Sequence, residues 1–277
     1  MEFGAYAQRC ANVYTVIGQR NGWRKGRNSP RGYDMLTLPS EAWDDRPHDR
    51  YLMVLHHHLS SARALLSSCG SCYEGASRPA AFTLAAGVFV HSSKASWLLE
   101  TEKSWTQRAA RAHLELLANL ETEMQRQPKK LESGYPNVRR KQWKIYRDQF
   151  RSAIAEIFGK RALSGKHDEL SLTDEELLTT SHLQERFVEL LSVNAPGALK
   201  EALVAAPELF IDPMVSIDVR LDVPLAVDDA VVDRAVLIAV EAWLAALDAW
   251  VHYNAWEASL VENIARELRG DDGRALG

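Results

Sequence analysis

RPAAFTLAAGVFVHSSKASWLLETEKSWTQRAARAHLELLANLETEM, residues 78–124, decides how this chain reads. Its first half reads as a helix from Pro79 to about Leu99, and Pro79 suits a first helical position. Its second half opens on a capping box. Ser104 caps, and Gln107, three residues on, reaches back to the cap. Behind the box, Trp105, Ala109, Ala112, Leu116, Leu120 and Met124 keep a helical period. Two helices across so short a link predict an αα-hairpin around which other helices pack.

Working outward, the same period returns on both sides. Tyr6, Cys10, Val13 and Ile17 stripe a short N-terminal helix, and Leu52, Leu55, Leu59, Ala62 and Leu66 stripe a helix over Tyr51–Ser67. Downstream, Trp143, Tyr146, Phe150, Ile154 and Ile157 mark a helix over Val138–Phe158, and Thr173 with Glu176 caps another that runs to about Val193. A short helix follows Pro196. Met214–Val223 alternates apolar and polar residues, the one strand-like signal. Asp228–Leu268 is the longest periodic segment, apolar on most sides in its middle, which predicts one long, buried C-terminal helix. The expected fold class is all-α. It is a multi-helix bundle around the central αα-hairpin and the long C-terminal helix, with one short extended segment. Residues 1–277 are expected to form a single helical domain. Its parts are an irregular region with a basic loop (1–50), the bundle (51–269) and a flexible tail (270–277).

Composition fits a globular protein: hydrophobic residues make up 46% and charged ones 25%, enough apolar content for a core and enough charge for a wetted surface. The run Ala80–Ser93 is too short and mixed to span a bilayer, and Met1–Gly18 has no leader-like pattern. Three cysteines in a chain of 277 residues suit a reducing compartment. A soluble cytoplasmic protein with no membrane contact is therefore expected. The net charge of −4 conceals an asymmetry. Residues 1–163 hold 25 Lys and Arg against 15 Asp and Glu, and residues 164–277 hold 8 against 22. Either the two halves pair, or the basic half faces an anionic partner.

Two segments concentrate the positive charge. Gly18–Gly32 is a glycine-punctuated loop with Arg24, Lys25 and Arg27 and no acid, and Trp23 beside the cations could offer a stacking face. Around the 138–158 helix, Arg139, Arg140, Lys141 and Lys144 form the densest basic cluster. These seven residues are the candidate nucleic-acid or anion contacts. His56, His57 and His58 are consecutive, about 100° apart on a helix, and so cannot share one metal through one face; they read as surface or boundary residues. Cys69-Gly70-Ser71-Cys72 has no second CxxC and sits where a turn is expected; Cys10 and a histidine could complete a zinc set, though the spacing does not require it. In the C-terminal helix, Glu241, Asp248 and His252 share a stripe, and His91 could join them around iron, manganese or zinc inside a bundle. The Glu-x-x-His pairs of ferritin-like sites are missing, so the main reading has no cofactor.

The segments Arg78-Pro79, Leu84-Ala85-Ala86 and Lys94-Ala95-Ser96-Trp97-Leu98-Leu99-Glu100 resemble a pattern in helical proteins of actinomycetes. Leu190-Leu191-Ser192-Val193-Asn194 and Tyr253-Asn254-Ala255-Trp256 resemble two later segments of it. Those proteins are similar to the broad HEPN-like helical class, whose active members pair an Arg and a His to cleave RNA. Ala86, Val90 and Asn194 replace polar residues of the pattern. Arg108 and His113 keep an Arg-x₄-His spacing. In a HEPN-like site His113 would be the acid/base on a ribose hydroxyl and Arg108 would steady the phosphate. The expected function is binding or regulation, with RNA, a nucleotide or a partner protein, in a defence or regulatory system. A homodimer through the C-terminal helix is a further expectation. The alternative is a metal-dependent oxidase or hydrolase using Glu241, Asp248, His252 and His91.

Overall fold

The computed structural model of the chain describes residues 3–36, 47–75, 78–126 and 228–269, with residues 141, 144, 145, 148 and 189. Among them are seven helices and no strand, so the all-α class holds. They are α1 (Phe3–Arg20), α2 (Pro30–Leu36), α3 (Pro47–Glu74), α4 (Arg78–Leu98), α5 (Trp105–Arg126), α6 (Asp229–Asn254) and α7 (Ser259–Arg269). No described helix is long and apolar enough to cross a membrane. The alternating segment at 214–223 and most of the helices expected at 138–158 and 173–193 lie outside the described residues.

Where the sequence suggests one domain, the helices cluster into two compact units. The first gathers α1, α3 from His58 onward, α4, α6 and α7. The second holds α2 from Arg31, the start of α3 and α5. The expected hairpin helices α4 and α5 thus belong to different units, and α4 packs most extensively on α6. The reason lies in the faces of α4. Ala81, Phe82, Ala85, Val88, Phe89 and Leu98 are buried around most of its circumference, so one antiparallel neighbour cannot cover it.

The core of the first unit is built on the aromatic residues of α6. Trp243, Trp250 and Tyr253 are fully buried. The Trp243 indole Nε1–H donates to the Cys10 carbonyl of α1 at 2.9 Å, and the Tyr6 hydroxyl donates to the Ile264 carbonyl of α7 at 2.9 Å. Aromatic bulk thus supplies the area, while the polar tips of Trp243 and Tyr6 find backbone acceptors on other helices of the unit. Arg78, at the start of α4, reaches Asp233 of α6 at 2.5 Å, and the Tyr73 hydroxyl donates to the same carboxylate at 2.7 Å.

Two helix boundaries depart from expectation. First, α3 does not stop before Cys69-Gly70-Ser71-Cys72 but continues to Glu74. A Cβ at Gly70 would lie 2.6 Å from the Gly4 carbonyl oxygen, and one at Gly4 would lie 2.5 Å from that of Gly70. Gly70 is the point where α3 crosses α1 backbone to backbone. The close packing outweighs the cost of about 0.5–1 kcal/mol for glycine inside a helix. Second, the expected single helix over 228–268 breaks after Asn254. Ala255 turns left-handed (φ 51°, ψ 46°), its N–H donates to the His252 carbonyl, and the Trp256 N–H donates to Val251, each at 3.0 Å. That pair of bonds is a Schellman stop with alanine where glycine is usual. The capping box of α5 forms as expected. The Ser104 N–H donates to Gln107 Oε1 at 3.0 Å, and the Gln107 N–H donates to Ser104 Oγ at 3.3 Å.

Candidate nucleic-acid interface: a pinned basic loop

The basic loop begins where α1 stops. Gly22, at φ 57°, ends the helix with the same pair of bonds that ends α6: its N–H donates to Gln19 at 3.1 Å, and the Trp23 N–H donates to Gly18 at 2.8 Å. Trp23 also takes a positive φ of 57°, which brings its indole back over Gly18. A Cβ on Gly18 would sit 2.3 Å from that ring, so only glycine admits it there. The ring meets Tyr14 edge-on at 5.1 Å between centroids and stays 40% exposed, leaving part of it open to a stacking partner.

From Arg24 the loop runs along the break between α6 and α7. The Trp256 indole Nε1–H donates to the Arg24 carbonyl at 2.6 Å, and the Gly26 N–H donates to the Asn254 carbonyl at 2.7 Å. A Cβ at Gly26 would meet the Ala255 carbonyl oxygen at 2.6 Å, so glycine is what lets the two backbones touch. Trp256 is held in turn by an edge-on contact with Trp250, 5.7 Å between centroids. Asn254 is locked by its own Nδ2–H bond to the Trp250 carbonyl at 2.9 Å. The negative end of the α6 dipole lies at this contact, which favours positive charge close by. Bonds from the backbone fix the loop, and the side chains of Arg20, Arg24, Lys25 and Arg27 are left exposed. Among the described residues no ion pair engages these four.

The remaining sequence candidates fall as follows. Lys141 and Lys144 are exposed helical residues of the second unit; Arg139 and Arg140 lie outside the described residues. Arg108 and His113 are both buried in the second unit. The Arg108 guanidinium bonds Asp34 at 2.5 Å and the Lys103 carbonyl at 2.6 Å, and it also hydrogen-bonds the buried Tyr51, whose pKa is pushed up chiefly by burial. His113 Nδ1 hydrogen-bonds the Ala109 carbonyl one turn back at 2.8 Å. Arg111, also buried, bonds Glu100 at 2.7 Å. These groups hold the unit together, and the Arg-x₄-His spacing presents no exposed pair to a substrate.

The alternative metal set does not assemble. Glu241 and His252 are exposed, and His252 Nδ1 hydrogen-bonds the Asp248 carbonyl at 2.8 Å on its own helix. His91 is buried beside His58. Cys69 is buried inside α3 and donates its thiol to the Ala81 carbonyl at 3.3 Å. Burial pushes the thiols of Cys10 and Cys69 up to about 12, which makes both poor nucleophiles. No family model, curated protein or solved structure matches the chain. The site therefore rests on its own geometry. Sequence reasoning found the cations of the loop but missed the residues that fix it: Gly18, Gly26, Asn254 and Trp256. The available signal was glycine at 18, 22 and 26 beside a cationic run, a residue suited to positive φ and to close backbone approach.

Proposed function

We propose that the protein is a helical binding protein whose basic loop at residues 20–27 takes single-stranded RNA, in a regulatory or defence role. The observation that carries this reading is the pinned loop itself. Arg20, Arg24, Lys25 and Arg27 stand exposed on a backbone fixed by Trp256 and Asn254, with the partly exposed Trp23 ring among them. A fixed loop spends little ordering entropy on binding, and cations interleaved with an aromatic face suit a phosphate chain with unstacked bases. The HEPN-like resemblance supports RNA over DNA. Binding without cleavage accords with the internal bonds of Arg108 and His113.

Fluorescence anisotropy with a labelled single-stranded RNA at low salt tests this. The full chain is expected to bind, and the Arg24→Ala, Lys25→Ala, Arg27→Ala triple variant to bind at least tenfold more weakly with unchanged thermal unfolding. Equal binding by the triple variant, or none by the wild type, refutes the reading.

A further inference from the structure

A second group of chemistry-bearing side chains lies on α3 and α4, apart from the basic loop. His58 of α3 and His91 of α4 are both buried, and their Nδ1 atoms stand 3.0 Å apart. His57 directly precedes His58 on the same unbroken helix and is exposed. One ligand nitrogen from each of the three lies within 4.8 Å of the other two. Among the described residues this is the one group of three or more His, Cys, Asp or Glu side chains so placed.

We propose that His57, His58 and His91 bind one first-row divalent transition-metal ion, with Zn²⁺ the best fit. The donor set is three neutral imidazoles, which suits zinc, copper or nickel and disfavours calcium or magnesium, whose ligands are oxygens. Zinc holds nitrogen at about 2.0–2.1 Å, so neighbouring nitrogens in a tetrahedron stand about 3.3 Å apart. The buried pair is already close to that spacing, and His57, at the exposed edge, needs only a side-chain adjustment to join it. At 3.0 Å one Nδ1 of the buried pair donates a hydrogen to the other. When both bind metal through Nδ1, that proton moves to Nε2 of the donor ring, and both imidazoles stay neutral. Three protein ligands leave a fourth position for water on the side that His57 opens to solvent. Two of three consecutive histidines can serve one ion here because the third ligand comes from a different helix and the imidazole arms span the angle between neighbouring helical positions.

The test uses the untagged full chain, stripped with chelator and titrated with Zn²⁺ by calorimetry. Co²⁺ serves as a visible-absorption probe of coordination. The expected result is one Zn²⁺ per chain and a Co²⁺ spectrum of four-coordinate intensity. His57→Ala, at an exposed position, is expected to weaken Zn²⁺ binding at least tenfold with an unchanged circular dichroism spectrum. His91→Gln is expected to weaken it further, and His252→Ala to leave it unchanged. Failure of the wild type to take up Zn²⁺ overturns the proposal. So does wild-type affinity in folded His57→Ala, whether or not His91→Gln folds.

Discussion

At the scale of single residues, Arg108 decides what the second unit can do. Its side chain is 6% exposed and that of its partner Asp34 8%, so the pair is an internal salt bridge with little water to compensate either charge. A phosphate-steadying role, the one the HEPN-like resemblance implies, would leave stability untouched when Arg108 is removed. The geometry implies the opposite. Arg108→Ala leaves the Asp34 carboxylate buried without its cation, which costs about 3–5 kcal/mol. Urea denaturation is expected to show a loss of that size, and a variant as stable as wild type would contradict the structural role. The difference was not legible because Arg108 and Asp34 are 74 positions apart, and no local pattern reports such a pairing. The histidines teach the same lesson. His56, His57 and His58 were visible as a run, and the geometry of one helix forbade a site from them alone. His91 comes within 3.0 Å of His58 only through the packing of α4 against α3.

At the scale of elements, local signals were read well wherever local chemistry decides the outcome. The capping box of α5 and the stripe of α1 both specify their helices through neighbours a few residues away. The signals failed where a distant backbone intervenes. Gly70 looked like a turn and is a helix crossing; Asn254-Ala255-Trp256 looked like helix and is a stop. Nothing in the preferences of alanine asks for a left-handed residue. Trp256 and Asn254 impose it by bonding to Arg24 and Gly26, more than 200 residues earlier in the chain. Ala255 therefore stores the strain of an L-residue at φ 51°. Ala255→Gly is expected to raise stability by about 1 kcal/mol, measured as a higher denaturation midpoint with the same slope. A lower midpoint would mean that the alanine methyl has a packing role outweighing that strain.

At the scale of the whole molecule, one of the two basic segments of the sequence acquires a definite location. The all-α class was legible from periodicity, while the division into two units was not, because it separates α4 from α5 and joins α4 to α6 across more than 130 residues of chain. A helical period identifies an amphipathic face without naming its partner. In the first unit the basic run at 20–27 is not a loose, solvated segment. It is clamped between the ends of α1 and α6, and its cations carry no ion pair among the described residues. The central claim is that this loop contacts phosphates directly, and the salt dependence of RNA binding measures that most directly. For single strands the slope of log affinity against log salt is about −0.7 for each phosphate neutralised. Removing Arg24, Lys25 and Arg27 together is expected to make the slope shallower by about 2. An unchanged slope, with affinity equal to wild type across the salt series, would contradict the account and assign the positive charge of the loop to the protein's own interior balance.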